Sequence, residues 1–120
     1  KYSEYDLIDT LLNKDASGFL KVSSYLKEID KSLSYVIFLV NQELEKLYSL
    51  MKPTTSKPYI PSFLITKYKS ASKKYTLDEL LFLLKNIASI DIKSKYMSKK
   101  SNPWMSFNCL FYNLMSKHAE

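Results

Sequence analysis

The chain contains no arginine; all 18 of its basic Lys/Arg residues are lysines. Any mechanism that needs a planar guanidinium fork from this chain, an arginine finger above all, is therefore excluded. A single glycine in 120 residues leaves no phosphate-cradling loop of the P-loop or dinucleotide type. One glycine and four prolines also supply too little turn chemistry for a sandwich or a barrel. The lone cysteine, Cys109, rules out a disulfide framework within the chain, and its place in the apolar run Trp104–Leu114 predicts a buried structural thiol. The lone histidine, His118, stands at the C-terminus, where a frayed end does not position an imidazole for base or nucleophile chemistry. Acids such as Asp6 and Asp9, or Glu43 and Glu45, have no His or Cys beside them in the sequence, so no metal centre is expected. No catalytic, cofactor-binding or metal-binding residue stands out, and the chain is expected not to be an enzyme. The longest apolar stretch, Tyr35–Val40, is far below the roughly 20 residues that span a bilayer, and no secretory pattern opens the chain. The expected address is the cytoplasm.

What is present is apolar bulk and unevenly placed charge. A 46% hydrophobic content, 14% of the chain being aromatic, is enough to fill one compact core. The expectation is a single helical domain over residues 1–120, and since the chain opens on Lys1 rather than Met, a C-terminal fragment of something longer. Residues 1–50 carry six lysines against eight acids, while residues 51–120 carry twelve lysines against four. The second half can attract phosphate, although lysines on solvated helix faces often serve solubility alone.

Apolar residues recur at helical spacing along most of the chain. Tyr5, Ile8, Leu11 and Leu12 mark a short first helix to Asn13. Asp15 is placed to cap a second, to about Ile29, with Phe19, Leu20, Val22, Tyr25, Leu26 and Ile29 on its stripe. Asp30 or Ser32 opens a third, to about Met51, along Leu33, Val36, Ile37, Val40, Leu44 and Leu47. The two prolines of Lys52–Pro58 break the pattern. Pro61 suits the first turn of a short basic fourth helix, with Phe63, Leu64 and Tyr68 expected on one side and lysines around the rest. Thr76-Leu-Asp-Glu79 is a capping box opening a fifth helix, so rich in Leu and Ile that it is expected to be the central, most buried element, with Leu80, Leu84 and Ile87 in the core. Asn102-Pro103 then caps and opens a last helix. The predicted fold class is all-α, a single compact bundle of five to six helices.

Two surface features carry possible chemistry. Asp91 and Lys95 form an acid and base at i,i+4 in the favourable order for a helix-surface ion pair. The polar connection after the fifth helix joins Lys93, Lys95, Lys99 and Lys100 to Tyr96, with a weaker counterpart in Lys67-Tyr68-Lys69 followed by Lys73 and Lys74. Lysines neutralise phosphates and an exposed ring can stack on an unpaired base, so the first cluster is a candidate DNA contact. A solvated loop whose tyrosine folds back on the bundle is the competing reading.

Several of these segments occur together in a recognisable order. Tyr75-Thr-Leu-Asp-Glu-Leu-Leu81, then Leu84-Lys-Asn-Ile-Ala-Ser-Ile-Asp91, then Lys95, then Asn102-Pro-Trp-Met-Ser-Phe107 resemble the C-terminal domain of the delta subunit of the bacterial DNA polymerase III clamp loader. Tyr5–Leu12 looks like that family's first collar helix, and Ile60–Lys67 like its Pro-aromatic helix before the basic turn. The sequence departs from the family in having Lys73 and Lys74 where arginines are usual, and in a longer polar loop over Tyr96–Asn102. The resemblance implies a collar domain without an ATP site, packed against the corresponding domains of the other loader subunits, with template DNA near its last loop. It implies no membrane and no small-molecule substrate. Two other readings compete: a helical host-interaction domain of the viral apoptosis-regulator type, with an exposed groove along a central apolar helix, and a stand-alone nucleic-acid-binding bundle.

Overall fold

The computed structural model of the chain describes residues 1–52, 58–96 and 102–117. Among them are six α-helices and no strand: α1 (Glu4–Leu12), α2 (Ala16–Glu28), α3 (Leu33–Met51), α4 (Ile65–Ser72), α5 (Leu77–Tyr96) and α6 (Pro103–Met115), with a 3-10 turn over Ser62–Leu64 leading into α4. They form one bundle with a radius of gyration of 14.2 Å.

Local chemistry sets the helix starts. Ser3, Asp15, Ser32 and Asn102 each accept a backbone N–H of the first turn through a side-chain oxygen, satisfying donors that the helix itself leaves free. The scarcity of glycine shows at the helix ends. After α1, Lys14 N–H donates to Leu11 O and Asp15 N–H to Thr10 O; after α2, Asp30 N–H donates to Lys27 O and Lys31 N–H to Leu26 O. Both are Schellman motifs, whose left-handed position usually holds glycine. Here Lys14 (φ 53°) and Asp30 (φ 60°) take it instead. The one glycine, Gly18, sits in the first turn of α2, where its N–H donates to Asp15 Oδ1 at 3.0 Å and the space of a Cβ is filled by the same carboxylate.

Helix α3 is the hub: it packs on α5, α4 and α1, while α2 joins α1 to α6 and α6 returns to α5. Its Val36, Val40, Leu44 and Leu47 are fully enclosed. Between α2 and α6 the core is aromatic, with Phe19 stacked on Phe111 at 4.8 Å between ring centroids and Phe107 tilted against both.

Four expectations are corrected here. On α2, Leu20 and Ile29 are exposed, because the side that meets α1 and α6 is the one carrying Phe19, Val22 and Leu26. The central, most buried element is α3, not α5. Helix α5 buries Leu80, Leu83, Ile87 and Ile90 on one face, leaves Leu84 only half-buried, and turns Leu81, Phe82 and Ile92 to solvent. A Leu/Ile-rich helix can bury only the stripe that meets its neighbours, and α5 has two, α3 and α6. Phe63 does not line up with Leu64 and Tyr68: those two point into the bundle, whereas Phe63 is 83% exposed. The chain is wound as a 3-10 turn there, closed by Leu64 N–H donating to Pro61 O at 2.9 Å, but even regular helical spacing sets Phe63 well round the helix from Leu64 and Tyr68, which are four positions apart and share a face. Cys109 is exposed, because the inward stripe of α6 runs through Phe107, Phe111, Leu114 and Met115, and position 109 lies on the far side of that helix.

Candidate subunit and nucleic-acid interface on α5

The two ends of α5 differ in how firmly they are held. At the start, Glu79 N–H donates to Thr76 Oγ1 at 3.1 Å while Thr76 N–H donates to Glu79 Oε1 at 2.8 Å, closing the capping box read in the sequence. Lys14 reaches over from the α1–α2 corner, donating to Lys74 O at 3.0 Å with its Nζ 3.6 Å from Glu79 Oε1. Beside it the buried Tyr75 hydroxyl donates to Leu11 O at 2.6 Å. Burial, and after it the charge of Glu79, pushes the Tyr75 phenol well above the usual tyrosine range. Two stretches distant in sequence, residues 11–14 and 74–79, are tied together at this corner.

The other end projects. Asp91 Oδ2 lies 3.2 Å from Lys95 Nζ, and Asp91 Oδ1 accepts from Ser34 Oγ at 3.3 Å, so this carboxylate joins α5 to α3 as well as to its own helix. The Ser34 contact was not legible in the sequence, since a serine on a helix face gives no signal of its partner. Lys95 lines a groove of about 280 Å³ between α3 and α5 together with Phe38 and Asn41. Lys93 is on the opposite flank, in a cleft of about 610 Å³ between α5 and α6 whose walls include Phe82, Ile90, Leu110 and Cys109. The lysines read as one cluster are thus divided between two flanks, as two residues' separation on a helix requires. Tyr96, 80% exposed, stands at the helix end. Lys99 and Lys100 lie outside the described residues.

Phe38 is the second feature that the sequence reading passed over. It is 56% exposed and shares the α3 surface with Tyr35. The available signal was that both rings fall off the apolar stripe of α3, where an aromatic has no core to enter. Phe82 at 52% and Ile92 at 60% exposure place apolar side chains on the outside of α5 near both its ends, with Lys85, Lys93 and Lys95 also exposed on that helix. Such a surface can bind proteins through its rings and aliphatic groups, or polyanions through its lysines. The cationic residues also have a structural role, because Lys93 and Lys95 in the last turn of α5 complement its dipole.

Among the described residues no three His, Cys, Asp or Glu side chains gather closely enough to hold a metal ion, and no helix is long and apolar enough to cross a membrane. No family model matches the chain, and neither a curated protein nor a solved structure matches it.

Proposed function

We propose that this chain is a non-catalytic collar domain of a delta-like subunit of a bacterial DNA polymerase III clamp loader, acting in the cytoplasm to hold loader subunits together during sliding-clamp loading. The observation that carries the reading is the apolar surplus on α5: Leu81, Phe82 and Ile92 are 43%, 52% and 60% exposed on a helix that buries a single face. A helix with more apolar surface than its own bundle covers suits a module that packs against neighbouring helical domains. The resemblance over Tyr75–Phe107 names those neighbours as the collar domains of the other loader subunits. Template DNA would meet the end of α5, where Tyr96 offers a ring for stacking and Lys93 and Lys95, continued by Lys99 and Lys100, offer charge for phosphates. The domain contributes position, with no chemical step of its own and no cofactor.

Mixing the chain with the other loader subunits and sizing the mixture by light scattering tests the assembly role. Co-elution in a defined stoichiometry is expected, and separate elution at micromolar concentrations overturns it. In the assembled loader, Tyr96→Ala is expected to weaken primer-template binding without changing assembly; wild-type affinity and salt slope in that variant would remove the DNA contact from the proposal.

The α5–α6 cleft favours a second reading, a helical host-interaction domain that receives an amphipathic partner helix, because it runs along an apolar helix and is walled by Phe82, Ile90 and Leu110. Binding of an isolated amphipathic helical peptide in that cleft, together with no affinity for loader subunits, is the result that would favour it.

A further inference from the structure

We infer that the exposed face of α4 and the turn before it form a second nucleic-acid contact, separate from the end of α5, with Phe63 as a stacking platform for an unpaired base. Phe63 and Tyr59 are 83% and 79% exposed, whereas the neighbouring Ile60 and Leu64 pack against the core. Exposure of one phenylalanine to this degree leaves both ring faces open. The tyrosine that sequence spacing put among the lysines is unavailable for stacking: Tyr68 is buried, and its hydroxyl donates to Glu43, itself held by Lys46 at 3.0 Å. The exposed ring closest in sequence to these lysines is therefore Phe63, four positions before Lys67.

The charge around it has one sign. From Tyr59 to Thr76 the sequence holds Lys67, Lys69, Lys73 and Lys74 and no acid. The acid from a neighbouring helix that reaches this face is Asp9 of α1, 3.2 Å from Lys67 Nζ. Lys67 is thereby partly neutralised, while Lys69, Lys73 and Lys74 are all exposed and no acid among the described residues forms an ion pair with them. Open aromatic faces beside lysines match a single strand, which presents phosphates and base faces together; a duplex hides the base faces, and this eight-residue helix carries no Arg, Asn or Gln to read a groove edge. Binding is accordingly independent of base sequence.

The test uses fluorescence anisotropy of labelled oligo(dT) and oligo(U) with the chain across a salt series, with thermal melts showing that each variant is folded. Phe63→Ala is expected to weaken binding by roughly fivefold to a hundredfold. Phe63→Leu keeps apolar bulk but has no ring face and is expected to fall as far, whereas Phe63→Trp retains affinity. Lys69→Gln and Lys73→Gln are each expected to flatten the salt slope by roughly 0.7. Wild-type affinity in Phe63→Leu would point to apolar protein docking and overturn the proposal, as would the absence of oligonucleotide binding by the unaltered chain or its complete loss in Tyr96→Ala. Assembly with loader subunits does not depend on this face, so these results stand apart from those of the collar test.

Discussion

Helices α3 and α5 are nearly equal in length, 19 and 20 residues, and both are rich in Leu and Ile, yet they hold different positions in the bundle. Helix α3 buries residues from Leu33 to Ser49 and takes neighbours on three sides, even enclosing Glu43 by pairing it with Tyr68 and Lys46. Helix α5 is covered on one face and keeps Leu81, Phe82 and Ile92 in solvent. Apolar content measures how much surface a helix can bury, whereas burial depends on how many neighbours the chain folds around it. The difference between the two on α5 is apolar surface left in solvent, on which the proposed assembly role rests.

Core truncations sharpen this contrast most. Leu44→Ala, at a fully buried site on α3, is expected to cost about 2–5 kcal/mol, while Leu84→Ala, at a half-buried site on α5, should cost about 1–2 kcal/mol in urea melts. Equal losses would show that both helices are central. Next is the polar contact that only α3 encloses. Tyr68→Phe removes the hydroxyl that donates to Glu43 and leaves a buried carboxylate short of a partner, an expected loss of about 1–3 kcal/mol.

The anchored end of α5 has a pH signature. Burial raises the phenols of Tyr75 and Tyr68 above the value of 10.0 that an unperturbed tyrosine has, with the charges of Glu79 and Glu43 adding to it. Because the native state holds these protons more tightly than the unfolded chain, the associated stability is complete below about pH 10 and is lost as pH rises toward the raised native values. Melts of wild type and Tyr75→Phe should therefore converge above about pH 10, by up to about 1.4 kcal/mol per pH unit. A constant difference would mean that Tyr75 is not protonated and buried as described. The smallest effect is at a helix end: Asp30→Gly, at φ 60° in the turn between α2 and α3, should stabilise the chain by up to about 1 kcal/mol.

The helix starts were the most legible part of the fold. Asp15, Ser32, Thr76–Glu79 and Asn102-Pro103 are local signals whose hydrogen bonds close within a few residues, so the sequence alone carries them. What was not legible depends on neighbours distant in the chain. The sequence does not show that α3 rather than α5 would be surrounded, or that Ser34 would meet Asp91 across 57 positions; Cys109 was legible and misread, since helical spacing from Phe107 and Phe111 sets it off the α6 stripe. Phe63 was legible and misread, since helical spacing groups Leu64 with Tyr68 and sets Phe63 on another side. At the candidate site, Asp91 and Lys95 lie where helical spacing puts them, whereas Lys93 and Lys95 read as neighbours in sequence and project from opposite flanks.

Under the proposed collar role, the exposed apolar side chains of α5 serve assembly and add little to folding. Phe82→Glu combined with Ile92→Glu separates the two, because both residues are more than half exposed. Thermal melts of the double variant and its co-elution with the other loader subunits should be measured side by side. A melting temperature within a few degrees of wild type with loss of co-elution is the expected result; undiminished assembly, or collapse of the fold itself, would overturn the proposed role of this surface.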